Sequence, residues 1–145
     1  MKLSDAAATA AVGARLAPLL RPGDVVTLAG PLSAGKTTLV RGLLAALDHG
    51  GEVPSPSFAI VQPYESLLPP LWHVDLYRIE DPGELVELGL DDIGDGGVLV
   101  VEWPERAGHG AWPDALALSL DVEPDGARVL TAMVPAAWEG RWPLP

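Results

Sequence analysis

The chain has no cysteine and no asparagine, and only two of its 145 residues are lysine, Lys2 and Lys36. Without cysteine there is no disulfide framework and no thiolate metal site. Without asparagine there is no N-K-x-D stretch, the means by which Ras-type GTPases read guanine. Basic residues of any kind are scarce. Nine Lys and Arg face twenty Asp and Glu, for a net charge of −11. Non-specific grip on nucleic acid comes from Lys and Arg neutralising phosphates, so an extended DNA- or RNA-binding face is not expected. No run approaches the ~20 apolar residues of a membrane span. The alanine-rich N-terminus resembles a leader, but Asp5 and Arg15 interrupt it, and a cytoplasmic protein is expected. No His, Asp and Glu cluster has zincin spacing, which argues against a zinc enzyme.

What is present reads as one domain, residues 1–145, with the tail 135–145 loosely held. Ser4 is placed to cap a helix carrying Ala8, Val12, Leu16 and Leu19 on one face. Val25 to Ala29 is a short, wholly apolar run, the mark of a strand buried on both sides in a parallel sheet. A glycine-rich loop and a helix from about Lys36 to Leu47, ended near Gly50, follow it. Residues 58–62, 71–76 and 98–101 read as further strands. Asp81-Pro82-Gly83-Glu84 has the form of a capping box, Asp81 being the N-cap and Pro82 the first helical residue. Residues 91–97 form an acidic, glycine-rich loop. Residues 115–122 and 127–134 alternate about the turn Glu123 to Gly126, as a hairpin does. The fold class is therefore α/β: a mostly parallel central sheet flanked by helices, extended by a C-terminal hairpin.

Residues 30–39, GPLSAGKTTL, have the spacing G-x-x-x-x-G-K-[ST] between a buried strand and a helix. Gly30 and Gly35 permit backbone angles that turn amides inward, and the helix N-terminus adds unpaired N–H groups. The loop from Ser33 through Ala34, Gly35 and on to Thr38 is thus assigned to phosphate. Lys36 is assigned to the β- and γ-phosphates, and the Thr37 hydroxyl to Mg²⁺. Lysine suits this place because a compact ammonium fits between phosphate oxygens where a planar guanidinium fits poorly. Glu102 ends the apolar strand at 98–101, in the manner of a Walker B carboxylate that holds Mg²⁺ directly or through water. Asp75 ends another strand. A phosphate loop alone does not name a reaction. A non-catalytic nucleotide-dependent adaptor and a small-molecule kinase stay open beside an ATPase, although scattered arginines and little spare chain leave no obvious lid for a kinase.

Taken together, the segments TAAVGARLA (9–17), GPLSAGKTTLVRG (30–42), SPSF (55–58), HVDLYR (73–78), DPGELVELGLDD (81–92) and VEWPERAG (101–108) resemble the TsaE family. These are small P-loop ATPases needed to make threonylcarbamoyladenosine in tRNA. HVDLYR followed by EWPER is far more specific than the glycine loop. The resemblance implies a P-loop fold, ATP and Mg²⁺, low basal hydrolysis, TsaB- and TsaD-like partners, and tRNA met through those partners. By matching position it implies Lys36, Asp75 and Glu102 as catalytic residues and Thr37 with Glu102 at the metal. It also implies Ser57 near the γ-phosphate, Thr9 near the nucleotide and Arg128 on the base side. Trp103 matches a family tryptophan near the nucleotide, and His73 reads as an orienting or packing residue. Two departures stand in the loop. Pro31 replaces the usual Asp, and Ser33 an internal Gly, so Ser33 offers its amide only if its φ suits a residue with a Cβ.

Overall fold

A computed structural model describes residues 1–49, 61–90, 96–108 and 110–142. Its frame is a seven-stranded sheet, with strands β1 (Lys2–Leu3), β2 (Val25–Ala29), β3 (Val61–Tyr64), β4 (Leu71–Asp75), β5 (Val98–Glu102), β6 (Leu116–Val122) and β7 (Arg128–Met133). The spatial order is β1-β7-β6-β2-β5-β4-β3. The four central strands β6, β2, β5 and β4 are mutually parallel, and the three outer pairings are antiparallel. Strand β2 lies where the winding reverses, with β5 on one side and β6 on the other. The carboxyl end of such a strand opens into a crevice, where ligands of α/β proteins sit.

The period-2 pattern splits the apolar residues between two faces. Val26, Leu28, Val98, Val100, Leu116, Leu118 and Leu120 face both α-helices, α1 (Ala6–Leu16) and α2 (Lys36–Ala46), in the larger core. Leu99, Val101 and Val74 face the other way, into a smaller cluster with Leu76, Ile79 and Leu90. Both α-helices therefore pack in the larger core, on one face of the sheet. The second face is covered by short 3-10 turns at Pro82–Leu88 and Pro104–Ala107, with Trp103 and Trp112 beside them.

The two helices meet backbone to backbone. A methyl group on Gly13 would strike the Leu39 carbonyl, and one on Gly42 the Ala10 carbonyl. Glycine at both places lets α1 lie directly against α2, which brings Thr9 beside the glycine loop.

Several boundaries differ from expectation. Asp5, not Ser4, caps α1: its Oδ1 accepts from the Ala8 amide at 2.8 Å. A carboxylate one residue later still reaches the third helical N–H, and it favours the positive helix end. The capping-box segment does start at Asp81 and Pro82, and it winds as a 3-10 helix to Leu88. Asp81 accepts from Gly83 at 3.0 Å. Leu85 and Leu88, three apart, pack inward, the spacing a three-residue turn puts on one side. Strand β3 begins at Val61; residues 58–60 of the expected strand and 91–95 of the acidic loop lie outside the described residues, as does Gly50, expected to end α2. The chain reverses before Gly50, at Asp48, with φ 66°.

The C-terminal segment is not loosely held as far as Trp142. Trp138 is fully buried. Arg141 lies over its ring at 3.8 Å and makes two bonds to Asp24, at 2.6 and 3.0 Å. Strand β1, two residues pairing with β7, was invisible in the sequence because so short a strand has no periodicity to read.

Candidate functional site

Strand β2 runs straight into the glycine loop, and Gly35 is the N-cap of α2 at φ 105°. Gly30 has φ 142°, and a Cβ there would meet the backbone carbonyl of Leu120 on β6. Both positions thus favour glycine for conformation, and Gly30 for space as well. Ser33 is left-handed too, at φ 63°. A residue with a Cβ pays for that geometry with roughly 1–2 kcal/mol. Arg128 holds it there: Nε donates to the Ala34 carbonyl at 2.9 Å and Nη2 to the Ser33 carbonyl at 3.1 Å. Arg128 opens β7, so the far hairpin braces the loop.

On one side of the loop is a cleft of about 250 Å³, lined by Ser33, Ala34, Gly35, Lys36, Thr37, Thr38, Asp75, Glu102, Trp103 and Leu32. On the other side is a cleft of about 140 Å³ that shares Ser33, Gly35 and Thr38 and adds Asp5, Thr9, Gly126 and Arg128. The structure therefore brings the proposed site residues together in two adjoining groups. Lys36, Thr37, Asp75 and Glu102 form one, and Thr9 and Arg128 the other. Gly30 contributes its carbonyl. Ser57, with the whole SPSF segment, lies outside the described residues.

The register explains the acidic side. Asp75 and Glu102 are partners at the carboxyl ends of parallel β4 and β5. The Thr37 hydroxyl is 3.4 and 3.3 Å from the two Glu102 oxygens. Asp75 Oδ1 accepts the Tyr77 amide at 2.8 Å. Lys36 Nζ donates to the Gly30 carbonyl at 2.5 Å and the Pro31 carbonyl at 3.0 Å. It also lies 4.1 Å over the Trp103 ring, a cation–π contact. Burial holds the Lys36 ammonium below the ordinary lysine range, against the opposing pull of the Glu102, Asp75 and Glu105 carboxylates.

Trp103 and Arg128 were both placed near the nucleotide by resemblance, but their contacts in the loop were not legible in the sequence. Trp103 has the left-handed backbone of φ 60°, which aims its ring under Lys36 and against Tyr77, 4.8 Å away. Arg128 serves the loop directly, a contact over 94 residues that no local pattern signals.

Among the described residues no group of three or more His, Cys, Asp or Glu is placed to hold a metal unaided. The oxygen donors Thr37 and Glu102 suit Mg²⁺, which keeps waters and shares its sphere with substrate phosphates. Among those residues no helix is long and apolar enough to cross a membrane.

Comparison with known proteins agrees with this geometry. The family model for "Threonylcarbamoyl adenosine biosynthesis protein TsaE" matches residues 3–130. A tRNA threonylcarbamoyladenosine biosynthesis protein TsaE from Streptomyces coelicolor is 47% identical over 113 residues, 76% of each chain. Its Mycobacterium leprae counterpart is 38% identical over 140 residues, 90% of this chain and 84% of the relative. The crystal structure of YdiB from Bacillus subtilis superposes with a TM-score of 0.75 at 31% identity, covering 91% of this chain and 82% of that one. With a loop, a carboxylate pair and a matching stretch of this length, the chain belongs to the TsaE family.

Proposed function

We propose that this chain binds ATP with Mg²⁺ and hydrolyses it in the formation of N6-threonylcarbamoyladenosine on tRNA, acting in the cytoplasm with TsaB- and TsaD-like proteins that carry the transfer itself. The observation that carries the ATPase reading is Thr37 facing Glu102 at 3.3 Å across the mouth of the phosphate loop. In this reading the loop amides from Ser33 to Thr38 hold the β-phosphate. Lys36 exchanges the Gly30 and Pro31 carbonyls for phosphate oxygens. Thr37 and Glu102 hold Mg²⁺, which when bound neutralises charge on the phosphates. Asp75, beside Glu102, is the candidate to orient the attacking water. Thr9 and Arg128 border the smaller cleft, the side this reading assigns to the nucleoside.

The acidic balance supports contact with tRNA through partners. Positive charge near the γ-phosphate is limited to Lys36 among the residues lining the larger cleft. An arginine supplied in trans is worth orders of magnitude in such reactions, so low basal turnover is expected. The test is ATP turnover of the chain alone and with TsaB- and TsaD-like proteins. Stimulation by the partners, lost in Lys36→Ala, supports the reading. A high basal rate indifferent to them counts against it. Tight binding with no turnover in any combination leaves the adaptor instead.

A further inference from the structure

His73 is a histidine that the proposed reaction has not used, and it is fully buried. It lies on β4 opposite Val100, one diagonal step from Glu102 on the same face of the sheet. Its Nε2 is 2.6 Å from Glu102 Oε2. Its other nitrogen, Nδ1, is sealed in the core with no hydrogen-bond partner among the described groups. An ionised carboxylate only accepts, so the proton of this bond belongs to Nε2. The ring is therefore aimed by one polar contact, and that contact is Glu102.

Glu102 is itself buried, at 3% exposure. A carboxylate taken out of water needs donors. The Lys36 ammonium is occupied by the Gly30 and Pro31 carbonyls. Among the described residues that leaves Thr37 and His73 as its side-chain donors. Thr37 comes from the first turn of α2 and His73 from the sheet, and both reach Oε2. With nucleotide and Mg²⁺ held, the Thr37 oxygen would serve the metal instead. His73 then remains as the fixed donor that keeps the Glu102 carboxylate from rotating. Partners of this kind, one step removed from a metal, set ligand orientation in many sites.

We infer that His73 is a positioning residue: its Nε2–H orients Glu102 toward Thr37 and so sets how strongly Mg²⁺ contributes to nucleotide binding. This rests on the phosphate-loop reading above. It assigns His73 no contact with substrate.

Two measurements on the full-length chain test it. The first needs no nucleotide. Nitrogen-15 spectra of the histidine rings in the wild-type chain are expected to show His73 protonated at Nε2 and bare at Nδ1. The opposite tautomer overturns the inference. The second compares ADP affinity with MgCl₂ and with EDTA in wild type, His73→Leu and His73→Gln. Leucine fills the space without a donor; the glutamine amide reaches the place of Nε2. Affinity in EDTA is expected to stay within about twofold in both variants, while His73→Leu loses about tenfold of the Mg²⁺-dependent gain. His73→Gln is expected to recover it to within about threefold. An unchanged Mg²⁺ gain in His73→Leu, or equal loss in both variants, assigns His73 to packing alone. If His73→Leu does not fold, the glutamine variant and the ring spectra decide. A wild-type chain that binds no ADP in either buffer removes the phosphate reading, and the spectra then judge the His73–Glu102 bond by itself.

Discussion

Arg128 and Ser33 stand 95 residues apart in the chain, and the guanidinium of one holds the carbonyl of the other at 3.1 Å. The contact joins the last hairpin to the most strained residue of the glycine loop. Ser33 occupies left-handed backbone that glycine would enter without cost. The loop keeps its shape because a neighbour secures both Ser33 and Ala34.

Arg128→Met should therefore weaken nucleotide binding without unfolding the chain. Losing two hydrogen bonds from a charged donor at a partly exposed site corresponds to about tenfold in Kd. Calorimetric titration with ADP measures it. Wild-type affinity in the variant would show that the loop holds itself.

Lys36 gives a pH dependence with a defined sign. Its folded-state pKa lies below the ordinary lysine range because the ammonium is buried. A bound polyphosphate favours the charged form, so binding raises that pKa. Protons are then taken up on binding at any pH between the free and bound values. Affinity for ADP should be constant below the free-state pKa and fall as pH rises through it, beginning lower than for an exposed lysine. Titration in two buffers of different ionisation enthalpy detects the proton uptake. Lys36→Ala should show neither the uptake nor the decline.

Gly42 and Gly13 separate packing from propensity. In an exposed helix, Gly→Ala stabilises by roughly 1 kcal/mol. Here Gly42→Ala thrusts a methyl into the Ala10 carbonyl. The sign should reverse, with a loss of about 1–3 kcal/mol. Urea denaturation decides between the two signs.

Asp24 and Arg141 are both nearly buried and bonded in a bidentate pair. Removing either strands the other charge. Asp24→Ala should cost about 3–5 kcal/mol, while exchange of both for apolar residues should cost far less. A double-mutant cycle by chemical denaturation measures the coupling, and additive losses would reject it.

How much of this was legible beforehand follows from the range of each interaction. The loop, β2, α2 and the hairpin are local: spacing, turn residues and periodicity lie within a few positions of one another. Glu102 and Asp75 were legible because an apolar strand ending in a carboxylate is itself a local pattern. The short helix after Asp81 was legible because its cap and first proline are local signals, but its 3-10 form was not. Residues 135–142 carried no pattern, yet Trp138 and Arg141 lock onto Leu19 and Asp24 across the molecule.

By itself the sequence determined the chemistry available to this protein: one lysine in a glycine loop, hydroxyls behind it, carboxylates at strand ends, and a net charge of −11. Those are matters of residue type and short spacing. Only the tertiary structure decided which groups meet. The pairing of β4 with β5 put His73 diagonal to Glu102, and the return of β7 put Arg128 on Ser33. Hydrogen bonds act over about 3 Å, and no pattern within a strand states which distant strand will lie beside it.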